Sequence, residues 1–191
     1  MCETFHAALA TQPDVLSIPP LTGPKWYACY TRGHHEKRVA TTLRDHQIES
    51  FLPTHSQERR WSDRIKKIAS PLFPSYVFAR FRLRELPRVL DVAGVVTVVR
   101  AGVTPVTIPD EEIENVRRFA EAADLHGIVP TIEPFVEVGE RVRIDAGPLR
   151  GVVGVVLEWR RGRTRVLIGL QAVGQGLSVN VDTASLRRIE G

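Results

Sequence analysis

Residues 71–81, PLFPSYVFARF, read as a β-strand with more apolar surface than a half-buried strand needs. Side chains alternate faces along a strand. On that alternation Phe73, Val77, Ala79 and Phe81 share one face, and Tyr76, Phe78 and Arg80 share the other. A strand of a small antiparallel sheet with one face in water is apolar on one side only. Something must therefore cover Tyr76 and Phe78. Either one of the domain's own helices does so, or the face is left for a partner.

The rest of the chain sets the context. It has 191 residues, 43% hydrophobic and 25% charged, which suits one soluble domain or two small ones. No apolar run approaches the length of a membrane-crossing helix. The first twenty residues show no basic start followed by an apolar core, so no secretory signal is read. Two cysteines, Cys2 and Cys29, make no disulfide framework, and a reducing cytoplasm is expected. The net charge is +4. Between Arg59 and Arg88 the basic residues are Arg59, Arg60, Arg64, Lys66, Lys67, Arg80, Arg82, Arg84 and Arg88, opposed only by Asp63 and Glu85. Such a patch attracts a polyanion.

Along the chain, residues 1–24 lack periodicity and are read as a flexible lead. KWYACYT suggests a strand, and HEKRVATTLRDHQI an amphipathic helix. ESFLPT is a short strand that Pro53 ends or places near an edge. QERRWSDRIKKIAS reads as a hairpin turning at Ser62-Asp63. RELPRVLDVAG is a short helical piece, GVVTVVR a strand, and TIPDEEIENVRRFAEA the clearest helix, with acidic residues at its positive end. Composition shifts over residues 121–135, read as a linker. Beyond it, over 136–190, about five short strands separated by turn residues suggest a small barrel, with Gly162 punctuating Arg-Arg-Gly-Arg. The expected class is α+β: an antiparallel sheet flanked by helices over 25–120, then a small all-β, SH3-like barrel.

The ordered set WYACYTRGHHEKRVATTL, FLPT, RRWSDRIKK, PLFPSYVF, GVVTVV and PVTIPDEEI resembles the NusG N-terminal (NGN) domain, and GERVRIDAGPLRGVVGVVLE resembles the KOW motif that follows it in that family. Within the family, RRWSDRIKK with PLFPSYVF is most similar to specialised antiterminator paralogues of the UpxY and RfaH type, which act on capsule and exopolysaccharide operons. Ser75 and Ala93-Gly94 depart from the glycine and proline usual in the housekeeping factor, and GLQAVGQGLS departs from the usual turn after Leu170.

The resemblance implies a transcription elongation and antitermination factor, not an enzyme, acting as a cytoplasmic monomer with no cofactor or metal. Phe73, Tyr76 and Phe78, with Phe81 behind them, would form a pocket for the clamp helices of the largest subunit of RNA polymerase. Holding the clamp closed would disfavour pausing by differential binding to the elongating state. Arg32, Lys37, Arg38 and Arg44 would face the non-template DNA strand, with Arg59, Arg60, Trp61 and Arg64 at the hairpin tip adding phosphate contacts and a stacking platform. Leu149 and Val152 match positions at which the KOW barrel would meet ribosomal protein uS10 or Rho, and they equally suit plain barrel core. The alternatives are an RNA- or ribosome-binding KOW protein and the general elongation factor. The triplet His34-His35-Glu36 is too small to read as a metal site, and Cys29, inside a strand, reads as a buried small hydrophobe.

Overall fold

In a computed structural model that describes residues 23–60, 65–135 and 139–189, KWYACYT forms strand β1 (Lys25–Thr31). Helix α1 (Glu36–Asp45) and a short β2 (Glu49–Phe51) follow. After Pro53, β3 (Thr54–Arg60) and β4 (Ile65–Pro71) pair as a separate antiparallel ribbon, Thr54 opposite Pro71 and Arg60 opposite Ile65. Next come β5 (Tyr76–Phe81), α2 (Leu86–Leu90), β6 (Val95–Val98), the small hairpin of β7 (Arg100–Ala101) and β8 (Thr104–Pro105), β9 (Thr107–Ile108) and α3 (Asp110–His126). The main sheet runs β2-β5-β1-β6, with β9 also pairing with β1, and every pairing is antiparallel.

Both faces of this sheet are covered. On one, Tyr27, Cys29, Val77, Ala79 and Phe81 pack with Val39, Ala40 and Leu43 of α1 and Val89 of α2. On the other, Trp26, Ala28 and Phe78 pack with Ile113, Val116 and Phe119 of α3. The periodicity of α3 explains this, because Ile113, Val116, Phe119, Ala120 and Ala123 fall on one stripe and are buried. Asp110, Glu111 and Glu112 occupy its first turn, and Gly127, at φ 63°, ends it in the left-handed conformation that glycine adopts at little cost.

The stretch expected to be a linker is largely structured. The residues AEAADLH are good helix formers overall and extend α3 to His126. Thr131–Pro134 then form β10, which joins the C-terminal sheet against β14 (Gln175–Asp182). Only residues 127–130 connect the two. The other C-terminal strands are β11 (Arg141–Ile144), β12 (Val153–Glu158), β13 (Arg163–Leu170) and β15 (Leu186–Arg188), in the order β10-β14-β13-β12-β11-β15. Val142, Ile144, Val166, Ile168 and Leu177 are fully buried among them. Gly154 permits the close approach of β12 to β13, since a Cβ there would lie 2.5 Å from Val166 Cγ1 and 2.7 Å from the Leu167 carbonyl oxygen.

The buried cluster beneath α3 continues into this barrel without a break. Asn115 on α3 fastens it with two hydrogen bonds. Its Nδ2 donates to the Val153 carbonyl at 2.7 Å, and its Oδ1 accepts from the Val153 N–H at 2.8 Å. The expected lead lies, up to residue 22, outside the described residues.

Replacing Phe119, which is fully buried, removes the largest side chain that α3 presses onto the sheet. Phe119→Ala is expected to cost about 3–5 kcal/mol, measured as a lowered midpoint of urea unfolding.

Candidate functional site

The turn that opens β5 carries an unusual backbone. Ser75 sits at φ 65°, in the left-handed region, where a residue with a Cβ pays about 1–2 kcal/mol. Three hydrogen bonds hold it there. The Ser75 N–H donates to Glu36 Oε1 at 2.9 Å, the Thr31 N–H donates to the Ser75 carbonyl at 2.8 Å, and the Tyr76 N–H donates to the Phe73 carbonyl at 3.2 Å. Glu36 is buried at the first position of α1. The neighbouring Arg32 N–H donates to the Gly94 carbonyl at 2.9 Å. The β1–α1 loop, the turn before β5 and the loop before β6 are thereby tied together at one end of the sheet.

That tie positions two aromatic side chains. Tyr30 and Tyr76 are cross-strand partners on β1 and β5, with ring centroids 5.5 Å apart. Tyr30 is 41% exposed, and Tyr76 is half-buried. Burial pushes the Tyr76 phenol pKa up, and the adjacent Tyr30 hydroxyl pushes it the same way. Tyr30 was not among the residues singled out from the sequence. The signal was available: Trp26, Ala28 and Tyr30 alternate onto one face, and the β1–β5 register turns that face into the one bearing Tyr76 and Phe78.

The other aromatic residues lie deeper than the sequence suggested. Phe73 and Phe78 are fully buried, and their rings meet edge to face at 5.7 Å. Phe51 stands 6.2 Å from Phe78. Of the two alternatives for covering this strand, one of the domain's own helices covers Phe78, and Phe73, expected beside it in a docking pocket, is buried as well. The stripe of α3 reaches far enough to cover Phe78, while the Tyr30–Tyr76 end stays partly open. Phe73 is also not on the Val77 face. It precedes the strand, and the left-handed turn at Ser75 carries it to the Phe78 side. Phe81 is buried on the opposite face, 4.5 Å from Tyr27.

The basic residues of the first helix are disposed for contact. Arg32, Lys37, Arg38 and Arg44 are all exposed, and none forms an ion pair among the described residues. Arg32, Lys37 and Arg38 lie at the end of α1 tied to the Ser75 turn, while Arg44 is in its last turn and donates to Thr41 Oγ1 at 3.3 Å. Arg59 and Arg60 are at the far end of the β3–β4 ribbon, about 20 Å from its base at the strand rise of 3.3 Å per residue. That base is held to α3 by the Ser56 N–H, which donates to Asp124 Oδ1 at 3.0 Å. Trp61 and Arg64 lie outside the described residues. Leu149 and Val152 are both buried in the barrel cluster, as the core alternative for these two residues requires.

Two further groups are accounted for. The Glu36 carboxylate is committed to the Ser75 turn, and no group of three metal-ligating side chains occurs among the described residues. Burial pushes the Cys29 thiol up to about 12, which leaves it protonated and unreactive at neutral pH. Among the described residues no helix is long and apolar enough to cross a membrane.

The family described as "NusG: Transcription termination factor nusG" matches residues 24–117, which contain β1 through β9 and the start of α3. Residues 24–117 belong to the NusG family. The chain is similar over most of its length to proteins named transcription termination/antitermination protein NusG. The one from Escherichia coli K12 is 25% identical, covering 86% of this chain and 96% of that protein. The one from Rickettsia bellii is 21% identical, covering 92% of this chain and 95% of that protein. Among solved structures, that of Thermotoga maritima NusG, described for its domain interaction, aligns with a TM-score of 0.50 at 22% identity, covering 87% of this chain and 98% of that one. It shares the fold.

The Ser75 turn yields opposite expectations for its two partners. Ser75→Gly relieves the left-handed strain and should be neutral or stabilising by up to about 1 kcal/mol. Glu36→Ala leaves a turn N–H without its acceptor and should cost about 1–3 kcal/mol. Thermal unfolding of the two variants checks the pair.

Proposed function

We propose that this chain is a NusG-type transcription termination/antitermination factor that docks on RNA polymerase through the Tyr30–Tyr76 end of its N-terminal domain. The observation that carries the reading is that an exposed Tyr30 and a half-buried Tyr76 are held together at the same end of the sheet as Arg32, Lys37 and Arg38. Aromatic side chains fixed beforehand make good interface anchors, because little freedom is lost on binding. The partner surface is the clamp helices of the largest subunit. Phe73 and Phe78 act from behind, as the packed floor that fixes Tyr76. Arg32, Lys37, Arg38 and Arg44 face the displaced non-template strand, where arginine pairs with phosphate and stacks on bases.

The mechanism is a shift of population. A factor that binds the closed, elongating polymerase more tightly than the paused one stabilises it by the difference in affinity. No bond is made or broken. The barrel would recruit a second partner, ribosomal protein uS10 or Rho. Leu149 and Val152, being buried, would shape its surface from within. The resemblance of RRWSDRIKK to the specialised paralogues supports action at one operon of the exopolysaccharide or capsule type, and a chromatin occupancy profile with one dominant peak checks it.

Tyr30→Ser with Tyr76→Ser should weaken binding to core polymerase at least about tenfold, as loss of a central anchor does, with circular dichroism unchanged. Affinity equal to wild type would remove the docking assignment. Arg32→Ala with Arg38→Ala should leave core polymerase binding intact. For a bubble-bearing complex it should lower the slope of log affinity against log salt by about 1.4, at about 0.7 per single-strand phosphate contact. An unchanged slope would remove the assignment to DNA.

A further inference from the structure

Trp159 is the exposed tryptophan of the C-terminal barrel, 44% accessible, and nothing in the reading above uses it. It follows β12 directly, between Glu158 and Arg160, in a turn that reads Trp-Arg-Arg-Gly-Arg. The ring is fixed rather than loose. Its Nε1–H donates to Glu140 Oε2 at 3.0 Å, and the Arg188 guanidinium lies 5.5 Å from its centre. Arg188 is itself held by Glu140 at 3.0 Å.

The turn beside it is also rigid. Gly162, at φ 84°, makes the reversal possible. Thr183 ties it down, donating its N–H to the Gly162 carbonyl and its Oγ1 hydroxyl to the Arg160 carbonyl, each at 3.3 Å. Arg160 is paired with Glu158 at 2.8 Å. Arg161 and Arg163 are exposed and have no ion pair among the described residues.

An indole held in place and 44% exposed, with Arg188 over its ring and two exposed arginines, Arg161 and Arg163, on the turn that follows it, has the chemistry of a stacking site for an unpaired base flanked by phosphate contacts. A duplex would not fit it, since its bases are already stacked on one another. An apolar protein surface would not either, because the residues flanking the ring in sequence are charged. The site also stays open while the barrel is docked. Asn115 grips Val153 at the start of β12, and Trp159 lies past its other end, about 20 Å away at the strand rise. We infer that the Trp159 corner of the barrel, with Arg161 and Arg163, binds single-stranded nucleic acid, independently of the N-terminal basic cluster.

The test uses the full chain carrying Arg32→Ala and Arg38→Ala, so that the N-terminal cluster does not mask the effect. Fluorescence anisotropy is read with a labelled 12-nucleotide RNA, the same sequence as single-stranded DNA, and the duplex DNA. Trp159→Ala should weaken single-strand binding about tenfold, within the range for loss of one stacked base, while Trp159→Phe retains most of it. Arg161→Ala with Arg163→Ala, on the exposed turn, should reduce the salt slope by about 1.4. Loss confined to RNA identifies the transcript as the ligand. Comparable loss on RNA and DNA identifies a contact shared by both kinds of strand. Absence of single-strand binding in the starting chain, affinity unchanged in both the tryptophan and the arginine variants, or equal loss on the duplex overturns the assignment.

Discussion

Helix α3 has two partners, and the arrangement of the molecule depends on its serving both. One stripe, Ile113, Val116 and Phe119, closes the N-terminal sheet over Trp26, Ala28 and Phe78. Beside that stripe, Asn115 satisfies both backbone groups of Val153, the first residue of β12. A half-buried side-chain amide that makes two short hydrogen bonds to one peptide segment fixes orientation as well as distance. The apolar cluster spans both halves because the helix lies between them. The connection of residues 127–130 then has little to do except reverse the chain.

With one face of the sheet under α1 and α2 and most of the other under α3, the exposed aromatic ring among the sheet's described residues is Tyr30, at its end. There a buried carboxylate, Glu36, holds a serine in a backbone conformation that it adopts reluctantly. Backbone strain of this kind persists where the surroundings over-determine it. Its consequence is the fixed Tyr30–Tyr76 pair beside exposed Arg32, Lys37 and Arg38. The proposed function has docking on a protein and contact with a nucleic acid strand occur side by side from this one edge.

Much of this was legible in the sequence. The alternation in KWYACYT, the 3.6-residue stripe after Pro109 and the two strands of the β3–β4 ribbon all gave elements close to those observed, because each rests on periodicity; the turn expected at Ser62-Asp63 lies outside the described residues. The five C-terminal strands followed from β-branched runs between glycines. Periodicity cannot say how far a neighbouring helix reaches. PLFPSYVFARF carries an apolar excess whether α3 covers it or not, so the burial of Phe73 and Phe78 had to come from the packing. Tyr30 was hidden for the same reason, since its importance depends on the register that sets it opposite Tyr76. The sixth strand, β10, was missed because two prolines and a glycine made its surroundings look like a tether.

The central claim is that the Tyr30–Tyr76 end touches the polymerase. A photoreactive phenylalanine analogue placed at position 30, and separately at Leu83 just beyond the opposite end of β5, tests it in assembled elongation complexes. Crosslinking to the largest polymerase subunit from position 30 and not from position 83 is the predicted result. A bound factor that crosslinks from position 83 and leaves position 30 unreacted would contradict it.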